Sequence, residues 1–459
     1  MPLQSRALFA ERILHIELIY EPIFDAVSAA TLLRLARTCR AARAATAAYT
    51  RLAFNIDRLL ARFFPSPPLP PAPAPHAHAR ARAFRGMQAR TGTLISGSSA
   101  LQFFDRTVYP ESDLDLYVHA KHRREVGRWL IEEGYAFAPT EHQDPRFEVE
   151  IVHGMTTRED GIYSMPGVAA ILTFTKPVPR AVHRFVEEES DEQLDVQLEE
   201  REPHPLKVQI IVAKNTPMEA ILAFHSTCVM NVISYEKAYC LFPRATLEKR
   251  LSLLSSSCRG RSKRRSAGLE KYARRGFLML STLPPDELEL DPASALAPAP
   301  FPDALAYTPF LYGLPTALAI AGRAPDPNPN PNPSPARKPW PAFRVGWRWI
   351  DDSASWVLPL PLAGIAPPPP ANPSTPALAH DPVAVCNWEV RYPAVSARGR
   401  GLGRHDPGAV MHFEVATGKV LRYRYLVTDA HLLTFLGREL SARARAEELK
   451  EEAELEDRT

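Results

Sequence analysis

The chain has 459 residues, enough for about three domains at the usual length. Hydrophobic residues make up 45% and charged residues 23%, which excludes wholesale disorder and supplies apolar side chain for a core. The net charge of +3 is too balanced to argue by itself for a polyanionic partner.

Proline is the outlier. The chain holds 46 prolines, about twice the usual share. They must lie mostly in linkers, because proline lacks an amide donor and breaks helix interiors. They cluster at 65–75, 325–341 and 359–376, which reads as extended, solvated spacers or surface loops. Cys39, Cys228, Cys240, Cys258 and Cys386 are scattered and form no CxxC pair. An intracellular, reducing setting in cytoplasm or nucleus is therefore expected, rather than a disulfide framework.

In chain order, the first unit reads as helical. Glu11, Glu17 and Glu21 interrupt the apolar N-terminus, which argues against a signal peptide. Apolar positions from Ile13 to Phe24 suggest one helix. Leu32, Leu33, Ala36 and Cys39 fall at helical spacing in a second, which Ser28 or Thr31 could cap and which ends in Cys39-Arg40. The segment LIYEPIFDAVSAATLLRLARTCRAAR resembles the F-box, although the family's opening Leu-Pro is Leu14-His15 here. The resemblance implies docking onto the adaptor subunit of a cullin-type ubiquitin ligase through the apolar face of these helices.

Residues 92–134 carry the chemistry. Thr93-Leu94-Ile95 reads as a short buried strand, Gly97-Ser98-Ser99 as a turn, and Ala100–Phe104 as the start of a helix. Gly97 lets backbone approach an anion, and free amides at a helix start point toward one. Next comes Asp113-Leu114-Asp115-Leu116. Strand side chains alternate, so Asp113 and Asp115 share one face. They lie roughly 6–7 Å apart and repel unless a cation sits between them. Mg²⁺ takes one or two carboxylates plus substrate phosphates. A helix over 121–134, ending at Gly134, follows.

Gly97-Ser98, a fourteen-residue spacer and Asp113-Leu114-Asp115-Leu116 together resemble the signature of the nucleotidyltransferase superfamily. GSSALQFFDRTVYPESDLDLYV also looks like a divergent fungal group of that superfamily. The likeness extends over roughly 85–245. It implies catalytic and metal-binding roles for Asp113 and Asp115, a nucleoside triphosphate held by Gly97, Ser98 and Ser99, and Mg²⁺ as cofactor. It also implies a third carboxylate on a later strand. Residues 168–175 and 206–212 read as the next strands, and the position of hydrophobic-acid-hydrophobic pattern is Gln209. Glutamine is neutral and cannot act as a base, so the site reads as degenerate and its activity stays open. Asp195, Glu148 and Glu150 are the conceivable substitutes. A helix capped by Thr216, with Pro217 and Glu219, is expected to carry a buried stripe from Ile221 to Ile233. His225, Asn231 and Arg244 are weaker candidate contacts for the nucleotide.

Two charge blocks stand out, acidic 187–202 and basic 244–275. Both read first as solvated faces; the basic one leaves nucleic-acid binding open. The uncharged stretch 304–322 could mimic a membrane span, but Pro309, Gly313 and Pro315 interrupt it, so a packed segment without membrane insertion is expected. Strands are expected within 343–358 and 383–392, with a hairpin around Thr417-Gly418 in which Arg422 and Arg424 alternate with apolar residues.

The expected fold class is α+β. The F-box-like helices fill 1–64 and a proline-rich linker 65–80. A nucleotidyltransferase-like mixed sheet with helices spans 81–280, and a Pro/Ala-rich, partly disordered segment 281–340. A C-terminal β-rich region with proline-rich loops and a terminal helix takes 341–459. Functionally, the sequence suggests a divergent nucleotidyltransferase-fold protein that binds Mg²⁺ and a nucleotide, its transfer activity left open by Gln209. The alternative is a substrate receptor of a ubiquitin ligase.

Overall fold

The computed structural model describes residues 12–65, 78–153, 165–177, 205–255, 263–284, 287–290, 341–365, 382–391, 409–416 and 426–428, with isolated positions near the C-terminus. The acidic block with Asp195, the stretch 304–322, most of the proline runs, the Thr417-Gly418 turn, and Arg422 and Arg424 lie outside them. The protein is mixed α+β, with N-terminal helices and a mixed multi-stranded sheet. No helix among the described residues is long and apolar enough to cross a membrane.

Among the described residues four helices come first: α1 (Glu17–Asp25), α2 (Ala29–Leu35), α3 (Arg40–Ala53) and α4 (Ile56–Ala61). Tyr20, Phe24, Leu32, Ala42 and Tyr49 close a core of their own. The second expected helix is in fact two. Thr38 Oγ1 donates to the Leu35 carbonyl at 2.7 Å and helps end α2. Cys39 is extended, and its Sγ accepts from the Ala42 amide at 3.4 Å. The cysteine therefore begins a helix rather than ending one.

Helix α5 (Ala79–Thr91) stops at Gly92, which is left-handed at φ +69°. Strand β1 (Leu94–Ser96) then runs straight into α6 (Gly97–Asp105). Strand β2 (Leu114–His119), α7 (Arg123–Glu132), β3 (Ala136–Phe137), α8 (Phe147–His153), β4 (Val168–Lys176) and β5 (Leu206–Ala213) follow. Helix α9 (Pro217–Leu222) starts where expected, with Thr216 Oγ1 accepting from the Glu219 amide at 3.3 Å.

This helix stops at Leu222, well short of Ile233. Beyond it a helical turn, Thr227–Val229, leads into the hairpin of β6 (Asn231–Ile233) and β7 (Lys237–Cys240). The β-branched Val232 and Ile233 and the turn residue Ser234, whose amide and hydroxyl both bond to the Lys237 carbonyl, suit a hairpin better than a helix. Among the described residues the later elements are β8 (Leu251–Leu253), α10 (Lys263–Arg274), β9 (Leu278–Leu280), β10 (Leu288–Leu290), β11 (Phe343–Trp349), β12 (Trp356–Pro359), β13 (Asn387–Arg391), β14 (Val410–His412), β15 (Glu414–Ala416) and β16 (Leu426–Thr428).

The main sheet has the order β12-β7-β6-β1-β2-β5-β4-β3. All its pairings are antiparallel except β2 with β5. Its outermost strand, β12, comes from beyond position 340. Alternation sorts the two faces. Leu114, Leu116, Val118, Val208, Ile210 and Val212 enter one core with α4 to α7. Leu94, Tyr117 and Ile211 enter another that continues into the second sheet, β10-β11-β13-β14. Buried Arg348 bridges the sheets by donating to the Leu241 carbonyl at 2.9 Å.

Arg106 joins the N-terminal helices to the sheet. It ends α6 in the left-handed region, at φ +52°. Its guanidinium donates to the Phe24 carbonyl (2.9 Å), the Val27 carbonyl (2.7 Å) and Tyr49 Oη (2.6 Å). Tyr49 Oη in turn donates to Asp25. From the other side, Glu248 accepts from the Ala30 amide at 3.2 Å, at the start of α2. Arg106→Gly relieves the left-handed backbone but removes the guanidinium. Because hydrogen bonds from a charged group each contribute about 1.5–3 kcal/mol, we expect it to cost about 2–4 kcal/mol in urea unfolding. Limited proteolysis should then cut between the N-terminal helices and the sheet sooner than in wild type.

Candidate functional site

The site lies where β1 turns into α6 against β2. Gly97 sits at φ +67°, and a Cβ there would fall 2.7 Å from Asp115 Oδ2. Only glycine combines that backbone with that approach. The Asp115 carboxylate consequently stands at the first residue of α6, where the helix dipole favours negative charge.

The serines build the other wall. Ser98 Oγ and Ser112 Oγ share a hydrogen bond of 2.9 Å, and Ser99 Oγ donates to the Asp113 carbonyl at 2.7 Å. Gln102 Nε2 donates to Ser112 Oγ at 2.8 Å and to the Ser98 carbonyl at 3.1 Å. Gln102 Oε1 accepts from the Tyr109 amide at 2.6 Å. All four side chains are buried. They fasten the 106–113 loop to α6 and so fix where Asp113 enters β2.

Parallel pairing places β5 alongside β2. Asp115 is level with Gln209, and on its other side with Ser96 of β1. Gln209 thus stands beside the second aspartate on the neighbouring strand. Lys207, one alternation earlier on the same face, pairs with Asp113 at 2.8 Å. Helix α10 brings a second cation, Lys271, into the field of both aspartates.

These surroundings set the charges. Burial, and then repulsion from Asp113, push the Asp115 carboxyl up to about 7, while Lys271 and Lys207 pull it back. The Lys271 ammonium is pushed down, first by desolvation and then by Arg275, although the residue keeps exposed surface. The Tyr117 hydroxyl, below Asp115 on β2, is raised by burial and by that carboxylate.

The weaker candidates lie at various distances from this centre. His225 packs under α10 with its ring 5.8 Å from that of Tyr272. Asn231, at the start of β6, donates from Nδ2 to the Cys228 carbonyl at 2.8 Å, and its own carbonyl accepts from Ser96 Oγ. Arg244 opens a turn that packs on α2 and β8. Glu148 is held by Arg124 and Arg128 at 2.7 and 2.6 Å on α8, and Glu150 accepts from the Asp144 amide. Among the described residues no group of three or more His, Cys, Asp or Glu side chains forms a metal-ligating cluster.

Lys207, Lys271, Gln102 and Ser112 were not singled out from the sequence. Lys207 could have been found from the alternation that picked out Gln209. Lys271 lay within the basic block 244–275, which read first as a solvated face, with phosphate or nucleic-acid contact left open for the block as a whole. Comparisons with protein-family models, with curated proteins and with solved structures found no match.

The raised Asp115 pKa has a consequence for stability. Its folded value of about 7 exceeds the ordinary carboxyl value of 3.8, so the folded chain holds this proton more tightly than the unfolded one. Stability tied to that proton is complete below about 3.8 and is lost as pH rises through about 7. Asp115→Asn should therefore stabilise the metal-free protein increasingly from pH 4 to pH 8, by at most about 4 kcal/mol. Denaturant titrations at the two ends of that range measure the difference. An equal effect at both would refute the shift.

Proposed function

We propose that this chain is a divergent member of the nucleotidyltransferase superfamily that binds Mg²⁺ and a nucleoside triphosphate on the acid face of the sheet and does not sustain nucleotidyl transfer. One observation carries the reading: Asp115 of β2 rests against Gly97 at the start of α6, with Asp113 just before the strand and Gln209 level with Asp115 on β5. A strand, a Gly-Ser turn and a helix start beside two carboxylates are what a metal–triphosphate site requires.

Asp113 and Asp115 would hold the ion, which supplies neutralisation of the triphosphate charge when bound. Lys207 would release Asp113 as the ion enters. Lys207 and Lys271 would then be free to pair with phosphate oxygens, to which lysine binds as a point charge. Gln209 has no charge to hold a second ion and no basic oxygen to take a proton from an attacking hydroxyl. The site thus keeps binding and lacks the group that activates a nucleophile.

Isothermal titration with Mg²⁺ and ATP or GTP tests the binding. Wild type is expected to bind, and Asp113→Asn/Asp115→Asn to lose at least about tenfold in affinity, since each lost ligand contact to a charged group is worth about 1.5–3 kcal/mol. Equal affinities would remove the metal site from the reading. Gln209→Glu restores the third acid, and pyrophosphate release above the wild-type background is its expected gain.

A second reading, an F-box-type substrate receptor, is favoured by the apolar surface of the first helix. Leu18 is 85% exposed, and Ile16, Ile19 and Ile23 are each more than 40% exposed. Isolated apolar residues are ordinary on a surface, but four close together on one short helix suit a protein partner. Purified ligase adaptor should bind the full chain at micromolar concentration and fail to bind Leu18→Asp/Ile23→Asp. Indifference to that double change would discard this reading.

A further inference from the structure

A cleft of about 1080 Å³ lies between the α2–α3 segment and the end of β12. Its floor is aliphatic, with Leu33, Ala36 and Ala47 facing Leu358 and Pro359. Arg37, Arg40 and Arg43 line it as well. They are exposed, and among the described residues no carboxylate pairs with any of them. The carboxylate that shares the cleft, Asp57, is already turned to Arg85 and Arg82, at 3.5 and 3.7 Å.

Two further features point to an anion. Helix α3 runs for fourteen residues, yet its first turn has no acid, carries Arg40 and Arg43, and is capped by a thiol. Cations at a helix start oppose the dipole and cost stability. An anion bound there is favoured by the dipole and by both guanidinium groups. In addition, Thr46 lines the cleft at 4% exposure, and its Oγ1 has no hydrogen-bond partner among the described residues. Such an orphan costs about 1–3 kcal/mol until something bonds to it.

We infer that this cleft is a docking groove for an extended, acidic peptide segment of a partner protein, with carboxylates on Arg37, Arg40 and Arg43 and aliphatic side chains on the floor. Charge complementarity selects the acidic character. The floor selects a peptide: its one aromatic, Phe54, is 5% exposed and packs edge-on against Phe103 and Trp356. Single-stranded nucleic acid needs exposed rings on which bases can stack, and this groove presents none. Strand β12 also ends the main sheet, and a terminal strand suits an extended chain alongside it. The groove shares no residue with the acid face, so the inference stands apart from nucleotide binding.

The test is fluorescence polarisation of the full-length chain with a labelled peptide alternating Glu and Leu. A Gln/Leu peptide of equal length and single-stranded poly-uridine RNA serve as competitors. Wild type should bind the Glu/Leu peptide, with the Gln/Leu peptide and the variant Arg40→Glu/Arg43→Glu each weaker by about tenfold or more. Thr46→Val should weaken binding about threefold or more by removing the hydroxyl. The charge-reversed variant should melt no lower than wild type, because glutamates at a helix start agree with the dipole. Should it fail to fold, Arg37→Glu, which lies outside the helices, carries the same expectation. Equal binding of the two peptides, no effect of charge reversal, or tighter binding of the RNA would each overturn the proposal.

Discussion

The close approach of a buried carboxylate to a glycine organises the acid site. Asp115 can lie against the start of α6 only because Gly97 has no side chain and adopts a left-handed backbone. That contact fixes the spacing of β1, α6 and β2. The parallel pairing of β2 with β5 then sets the rest of the face, since one register brings Gln209 level with Asp115 and Lys207 within reach of Asp113. A shift of one residue would turn both aspartates into the apolar core formed by Leu114, Leu116 and Val118.

Two carboxylates on one partly buried face are costly unless compensated. The compensation is internal: Lys207 contacts one aspartate and Lys271 acts on both. Two acidic groups face two basic ones, with a neutral Gln209 on β5 level with Asp115. A carboxylate at 209 would unbalance that face in the metal-free state and demand a cation to restore it. Glutamine keeps the size and polarity of a glutamate without the charge, so it adds no repulsion to a face on which the Asp115 carboxyl is already pushed up to about 7. On the proposed reading, a metal ion entering the site would have to displace the ammonium of Lys207 from Asp113, which would favour an ion that arrives with a triphosphate.

Much of this arrangement was legible in the sequence because it rests on short-range rules. Alternation in Asp113–Val118 placed the acids on one face, the Gly-Ser turn marked the start of α6, and the pattern around Val208 picked out Gln209. What was not legible depends on contacts distant in the chain. The break at Cys39 needed a thiol to act as a cap, a weaker acceptor than the usual Ser or Asp. The stretch 228–235 has apolar spacing that fits a helix, but pairing of β6 with β1 and β7 made it a hairpin. Tertiary pairing overrides local pattern most easily in short apolar segments. Strand β12 joins β7 across more than a hundred residues and a long proline-rich stretch, a pairing no local signal announces.

Helix α6 links the two ends of the molecule that carry functional readings. Its first residue, Gly97, receives the Asp115 carboxylate. At its far end Asp105 binds Arg250 at 2.6 Å, and Arg106 reaches into the N-terminal helices. The helix is nine residues long and nearly all buried, so it moves as a rigid piece or not at all. Arg250 extends the connection, because it also lies over the Phe277 ring at 4.1 Å and donates to the Arg275 carbonyl at 3.0 Å, just beyond the helix that carries Lys271. Compensation of the aspartates and docking of the N-terminal helices are therefore two properties of a single packed strut.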